Sequence, residues 1–313
     1  MPGGPLNPTR LIAPYACGLL SLFATPAAQP ALSLPTVANT HATFGDETMR
    51  SPLLELLGSS GNLRALFGTP ASWAERPELQ PLMSRLPHDA PGVHSLGLPA
   101  PDGDSLVVVT LEPLAAIQGL RRDAYRVGRW PTAGLAAHDP RYAVPPGYIP
   151  VTLENEATAV SKRFCLRDFL THDQQDVWPK VLVLRPALLD KLELIGDELE
   201  RWGLPGTLHI MSGFRTPQYN AQGVGRKGGR ARDSRHMYGD AADVIVDADG
   251  DGVMDDLDGD GKISIRDARV LFAVAERIES RHPELVGGLS AYPANAAHGP
   301  FVHVDARGVR ARW

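Results

Sequence analysis

Ten residues constrain this chain more than any other stretch: Ser234-Arg235-His236-Met237-Tyr238-Gly239-Asp240-Ala241-Ala242-Asp243. They run into Ala242-Asp243-Val244-Ile245-Val246, a short apolar, β-branched run that reads as a buried strand. His236 then sits on the turn leading into that strand, with Asp243 near the strand's start. Gly239 lets the backbone fold tightly enough for both side chains to face one ion. A second short strand, Phe301-Val302-His303-Val304-Asp305, supplies another nitrogen ligand. Two imidazoles and one carboxylate leave a fourth tetrahedral position for water, which separates a catalytic zinc from a closed structural one.

The pattern Ser234-x-His236-x-x-Gly239-x-Ala241-x-Asp243 with a distant His303 resembles the signature of the zinc D-Ala-D-Ala carboxypeptidase family. That family also holds peptidoglycan endopeptidases and is related in structure to the hedgehog signalling domain. The resemblance extends over residues 160–313. It takes in Ser212-Gly213-Phe214-Arg215-Thr216-Pro217, which is similar to the family's arginine-bearing turn. It implies an α+β fold in which a C-terminal zinc peptidase domain has a small antiparallel sheet and flanking helices. It implies zinc on His236, Asp243 and His303, and an Arg215 that binds a substrate carboxylate or a developing oxyanion through its permanently charged fork. The family often places a histidine or an acid shortly before the last ligand as general base. Here Pro300 and Phe301 occupy those places, so His298 is the expected base, with Asp305 and Asp240 as alternatives. Asp305 reads equally as a partner that holds an imidazole. Ser234 is expected to orient the His236 turn.

At 313 residues, two domains are expected. No apolar run in the mature part is long enough to span a bilayer. The net charge of −5 hides an acidic run at 247–267, where eight Asp face Lys262 and Arg266 for a local balance of −6. The remainder is close to neutral, and no nucleic-acid footprint is expected. Arg10, the apolar stretch 11–23 and the small residues 24–28 read as an export signal over residues 1–28, hence a periplasmic or secreted protein. If Cys17 leaves with the signal, Cys165 is alone and reads as a buried small apolar residue.

Residues 29–50, rich in Pro, Ala and Thr, read as a linker, 51–158 as a small β-rich accessory region, and 159–313 as the peptidase domain. Short helical patterns are expected at Leu53-Leu54-Leu57 and Leu63-Leu66-Phe67, a strand at Ser105–Leu111, and further strand or edge segments at 125–131 and 147–151. Pro186 starts a helix whose Leu188, Leu189, Leu192, Ile195 and Leu199 follow helical spacing up to Gly203. The next strand spans 207–212, with His209 a core or edge residue. Residues 223–230 fail the phosphate-loop pattern and read as a basic loop beside the cleft.

Asp256, Asp258, Asp260, Gly261, Lys262, Ser264 and Asp267 stand at EF-hand loop spacing, Lys262 through its carbonyl. Asp247, Asp249, Asp251, Gly252 and Asp255 repeat the pattern upstream, with Asp258 shared between the two loops. One or two structural calcium ions are expected, bracing the connection between the strand of Asp243 and a helix over 267–280. The sequence thus predicts an exported zinc peptidase acting on peptidoglycan stem peptides or crosslinks. The rival is a non-catalytic cell-wall binding protein that keeps the metal site.

Overall fold

The computed structural model describes residues 65–68, 75, 92–99, 105–117, 119–225 and 229–313. The expected export signal, the linker and the helical pattern at 53–57 lie outside the described residues. The architecture is the expected α+β. β1 (Ala65–Gly68), β2 (Gly92–Pro99) and β3 (Ser105–Thr110) form one sheet in the order β1-β3-β2. The Leu63-Leu66-Phe67 spacing predicts a helix, but Ala65–Gly68 pair in parallel with Val107–Thr110 instead. Tertiary pairing to a β-branched strand overrides a weak local helical pattern there.

β4 (Glu112–Pro113), β7 (Gly147–Val151) and β8 (Lys180–Leu182) make a second sheet, and β5 (Arg121–Arg122) with β6 (Tyr125–Arg126) a short ribbon. A one-turn helix α1 (Leu135–His138) lies between β6 and β7. β7 pairs with β8 across the boundary expected at 158. Buried residues from Val107 to Val304 form one apolar cluster, so the two sides of that position share a core.

The functional residues ride on a five-stranded sheet in the order β13-β11-β12-β10-β9. Its strands are β9 (Leu208–Ser212), β10 (Ala241–Val246), β11 (Gly288–Tyr292), β12 (Phe301–Asp305) and β13 (Ala311–Arg312). Every residue of β10 is buried, in keeping with a small and β-branched run that Asp243 alone interrupts. Two long helices, α2 (Pro186–Arg201) and α4 (Ile265–Arg281), pack on each other, and α4 covers β11 and β12. The short α3 (Pro217–Gln222) follows β9, its first turn capped by the Thr216 hydroxyl, which accepts from the Tyr219 N–H.

The helix pair is locked by a buried carboxylate. Glu198 on α2 accepts from Arg201 at 2.7 Å, Trp202 Nε1 at 3.0 Å, Arg281 at 2.8 Å and Arg277 at 2.7 Å. Burial opposes its ionisation, but these donors win and draw its pKa down to about 2. A depressed carboxylate pKa contributes stability above the unfolded value and loses it as pH falls through the folded one. Glu198→Gln should therefore cost about 2 kcal/mol at pH 7, the scale of a charge-assisted hydrogen bond. Denaturant unfolding should show that gap shrinking between about pH 4.5 and pH 2; a gap independent of pH would refute the assignment.

Candidate metal centre

His236 lies on a 3-10 turn, Arg235–Tyr238, which ends at Gly239 in the left-handed region with φ of 72°. A Cβ at Gly239 would come within 2.5 Å of the Val183 carbonyl carbon, so the position excludes a side chain on two counts. The Arg185 N–H, in turn, donates to the Gly239 carbonyl at 2.8 Å. The chain then enters β10, where Asp243 stands directly opposite His303 of β12 in the antiparallel ladder. A bulge against β9 between Asp243 and Val244 re-aims the strand at this point.

Three donor atoms converge. His236 Nε2 is 3.3 Å from His303 Nδ1, Asp243 Oδ1 is 2.9 Å from His303 Nδ1, and His236 Nε2 is 3.3 Å from Asp243 Oδ1. Ligand bonds of about 2.0–2.1 Å in a tetrahedron put donors about 3.3 Å apart, so the triangle fits zinc. The other ring nitrogens are engaged. His236 Nδ1 donates to the Gly213 carbonyl at 2.7 Å, which fixes the tautomer that leaves the Nε2 lone pair free. His303 Nε2 faces Asp305 Oδ2 at 3.2 Å.

The electrostatics suit a metal at His236 and Asp243, whereas His303 must give up a proton before its ring can ligate. Burial holds the His236 pKa below its ordinary value, as a neutral ligand requires. Burial also works against a charged His303, but hydrogen bonds to Asp243 and Asp305 prevail and raise it to about 8. Burial opposes ionisation of Asp243 too, yet the neighbouring imidazoles keep its carboxyl well below the usual range. These three residues form one of the groups able to hold a metal among the described residues.

Arg215 reaches the centre. Its Nη2 donates to Asp243 Oδ2 at 2.5 Å, and its Nε to Ser212 Oγ at 2.9 Å. Asp243 therefore turns one oxygen to the two imidazoles and the other to an arginine. His298 is on the β11–β12 connection, its ring against Phe301 with centroids 4.8 Å apart. Its Nδ1 donates to the Gly299 carbonyl at 2.7 Å, leaving Nε2 as the proton-accepting nitrogen, 2.8 Å from Asn295 Nδ2. It makes no hydrogen bond to the three donors among the described residues. Asp240 makes a buried ion pair with Arg235. Asp305, held by both arms of Arg307 and by the Gly288 N–H, acts as the imidazole's partner. Ser234 holds the turn through its carbonyl, which accepts from the Met237 N–H at 3.2 Å. His209 is exposed on β9 and stands apart from the centre.

Sequence reasoning missed Arg307, two residues beyond Asp305, and Trp313, whose ring lies 5.3 Å from that of His303. It also missed Trp130, which reaches the site turn from far upstream. For Arg307 the spacing from an acid on the ligand-bearing strand was a usable signal; the two tryptophans gave none.

The acidic run folds as two similar turns. Asp247 Oδ1 accepts from the Gly250 and Asp251 N–H groups and Oδ2 from Gly252; Asp256 does the same for Gly259, Asp260 and Gly261. Asp247, Asp249 and Asp251 form one cluster, and Asp256, Asp258 and Asp267 a second. Asp258 lies in the second cluster, and the first turn is closed by Asp255, which accepts from the Ala248 N–H at 3.0 Å. Asp258 and Asp260 pair with Arg266, while Ser264 and Asp267 form the capping box of α4. Lys262 lends its N–H to Asp260 at 2.9 Å.

Residues 166–254 match the family model described as Peptidase M15. The matched segment holds Arg215, His236 and Asp243 and ends before His303. No curated protein and no solved structure matches the chain.

Proposed function

We propose, from the premise that the C-terminal half carries a Peptidase M15 segment, that this protein is an exported zinc peptidase. Its substrates would be peptide bonds in peptidoglycan stem peptides or their crosslinks. The observation that carries the reading is the convergence of three donors at tetrahedral spacing, two from the matched segment and His303 from beyond it. Zinc, when bound, supplies Lewis-acid polarisation of the scissile carbonyl and makes a water easier to deprotonate.

The chain's own residues do the rest. Gly213 and Asp305 fix the two imidazoles so that neither must reorient when charge develops. Arg215 fixes the Asp243 carboxylate from behind, and its remaining donors stabilise negative charge on the substrate. His298 Nε2 takes a proton and returns it to the leaving amine, after Asn295 gives up its contact. The two acidic turns bind calcium, which neutralises their carboxylates and braces the link from β10 to α4.

The test is metal analysis of the purified protein followed by incubation with muropeptides. The reading expects one zinc per chain, calcium in addition, and peptide-bond cleavage that chelation stops and zinc restores. His298→Ala should keep its zinc and lose about 100-fold or more in kcat. Full activity in that variant would remove His298 as the base. Zinc without turnover in the wild type would favour the non-catalytic cell-wall binder.

A further inference from the structure

The matched segment begins at residue 166, yet the outer face of the His236 turn is covered by residues that precede it. The Trp130 indole N–H, in the core, donates to the Met237 carbonyl at 2.8 Å, one residue from His236. The Arg235 guanidinium, also buried, donates to the Arg141 carbonyl at 2.7 Å. It lies against both the Tyr142 and the Tyr238 ring, at 4.7 and 4.8 Å from their centroids, while pairing with Asp240 at the neck of the turn. Tyr142 meets Tyr238 edge-on at 5.4 Å. One step further back, the Gln218 N–H donates to the Val127 carbonyl at 3.0 Å, tying the same upstream stretch to α3.

We infer that residues 127–142 are a strap that positions His236 for its metal, with Trp130 as the principal positioning residue. The inference rests on the metal-site reading above. Within the matched segment, the His236 ring is oriented by its Nδ1 bond to the Gly213 carbonyl, and the His236 carbonyl accepts from the Arg215 N–H at 3.2 Å. Both contacts come from the turn that follows β9, and Arg185 holds the far end of the His236 turn through the Tyr238 and Gly239 carbonyls. Trp130 and Arg235 fix the backbone on both sides of His236, through the carbonyl of Met237 and the side chain of Arg235. Metal affinity needs donors held in place, so the loss of such outer contacts is felt at the ion even though none touches it.

Trp130→Phe keeps an aromatic ring in the core and deletes only the donor. Zinc affinity, read by competition with a chromophoric chelator, should weaken about tenfold, the lower end for loss of an outer partner. The visible absorption of the cobalt-substituted variant should shift, since it reports ligand geometry rather than stability. Glu198→Gln, destabilised far from the strap, should keep wild-type zinc affinity and cobalt spectrum. Should Trp130→Phe fail to fold, Arg235→Lys reads the same quantities, because lysine can still pair with Asp240 but cannot also reach the Arg141 carbonyl. Zinc affinity and cobalt bands equal to wild type in the folded variant would overturn the strap and leave the metal centre standing. A wild-type protein that takes up no zinc would bring down the metal centre itself, and the strap with it.

Discussion

His303→Ala is expected to lose zinc from the centre and to lower peptide hydrolysis by more than about 100-fold, beyond the range for outer-shell partners. Three side chains present donors to a single point, and deletion of His303 leaves His236 and Asp243 alone. Two protein ligands do not hold zinc against ordinary competitors, because a catalytic site already gives its fourth position to water. The fold should survive. Asp243 keeps Arg215, and Asp305 keeps Arg307, so neither buried carboxylate is left without a cation. The measurement is zinc per chain by metal analysis beside the rate of peptide release, with unfolding midpoints as control. A variant that retains one zinc per chain would show that the imidazole is not a ligand.

Gly239→Ala is expected to cost about 3–5 kcal/mol, the largest stability effect proposed for this protein. A φ of 72° strains any residue with a Cβ, and the added atom meets backbone that cannot rotate away. The Val183 peptide sits just beyond β8, and the neighbouring Arg185 N–H bonds the Gly239 carbonyl, so relief would pull apart the contact that anchors the turn. Against a total of about 5–15 kcal/mol this leaves little reserve. Denaturant titration should give a much lower midpoint, and any folded fraction should bind zinc weakly. A midpoint within about 0.5 kcal/mol of wild type, the ordinary range for harmless surface changes, would mean the turn is not constrained as described.

The centre was legible in the sequence because its residues report two kinds of information at once. A histidine, a glycine and an aspartate at fixed offsets, followed by β-branched residues, specify a turn entering a buried strand. His303, on its own short alternating run, could be placed on a strand but not against Asp243; pairing between residues so distant in order leaves no local trace. Helix α2 was readable from Pro186 and the spacing of its leucines. The Ala65–Gly68 strand was not, since its partner β3 decides its state. The continuity of the core across residue 158 was equally hidden. Trp130 reads as part of a strand or edge segment, and nothing in its neighbourhood or that of Tyr142 signals that the fold brings them to the His236 turn.

The direct opposition of Asp243 and His303 in the β10–β12 ladder has a consequence for assembly. Side chains alternate between the two faces of a sheet, so sliding β12 by one residue would turn His303 away from Asp243 and bring Val302 or Val304 to its place. An ion gripped by both strands can be seated only in the native alignment. Metal uptake would thus act as a proofreader of strand pairing, rejecting shifted arrangements that apolar burial alone could tolerate.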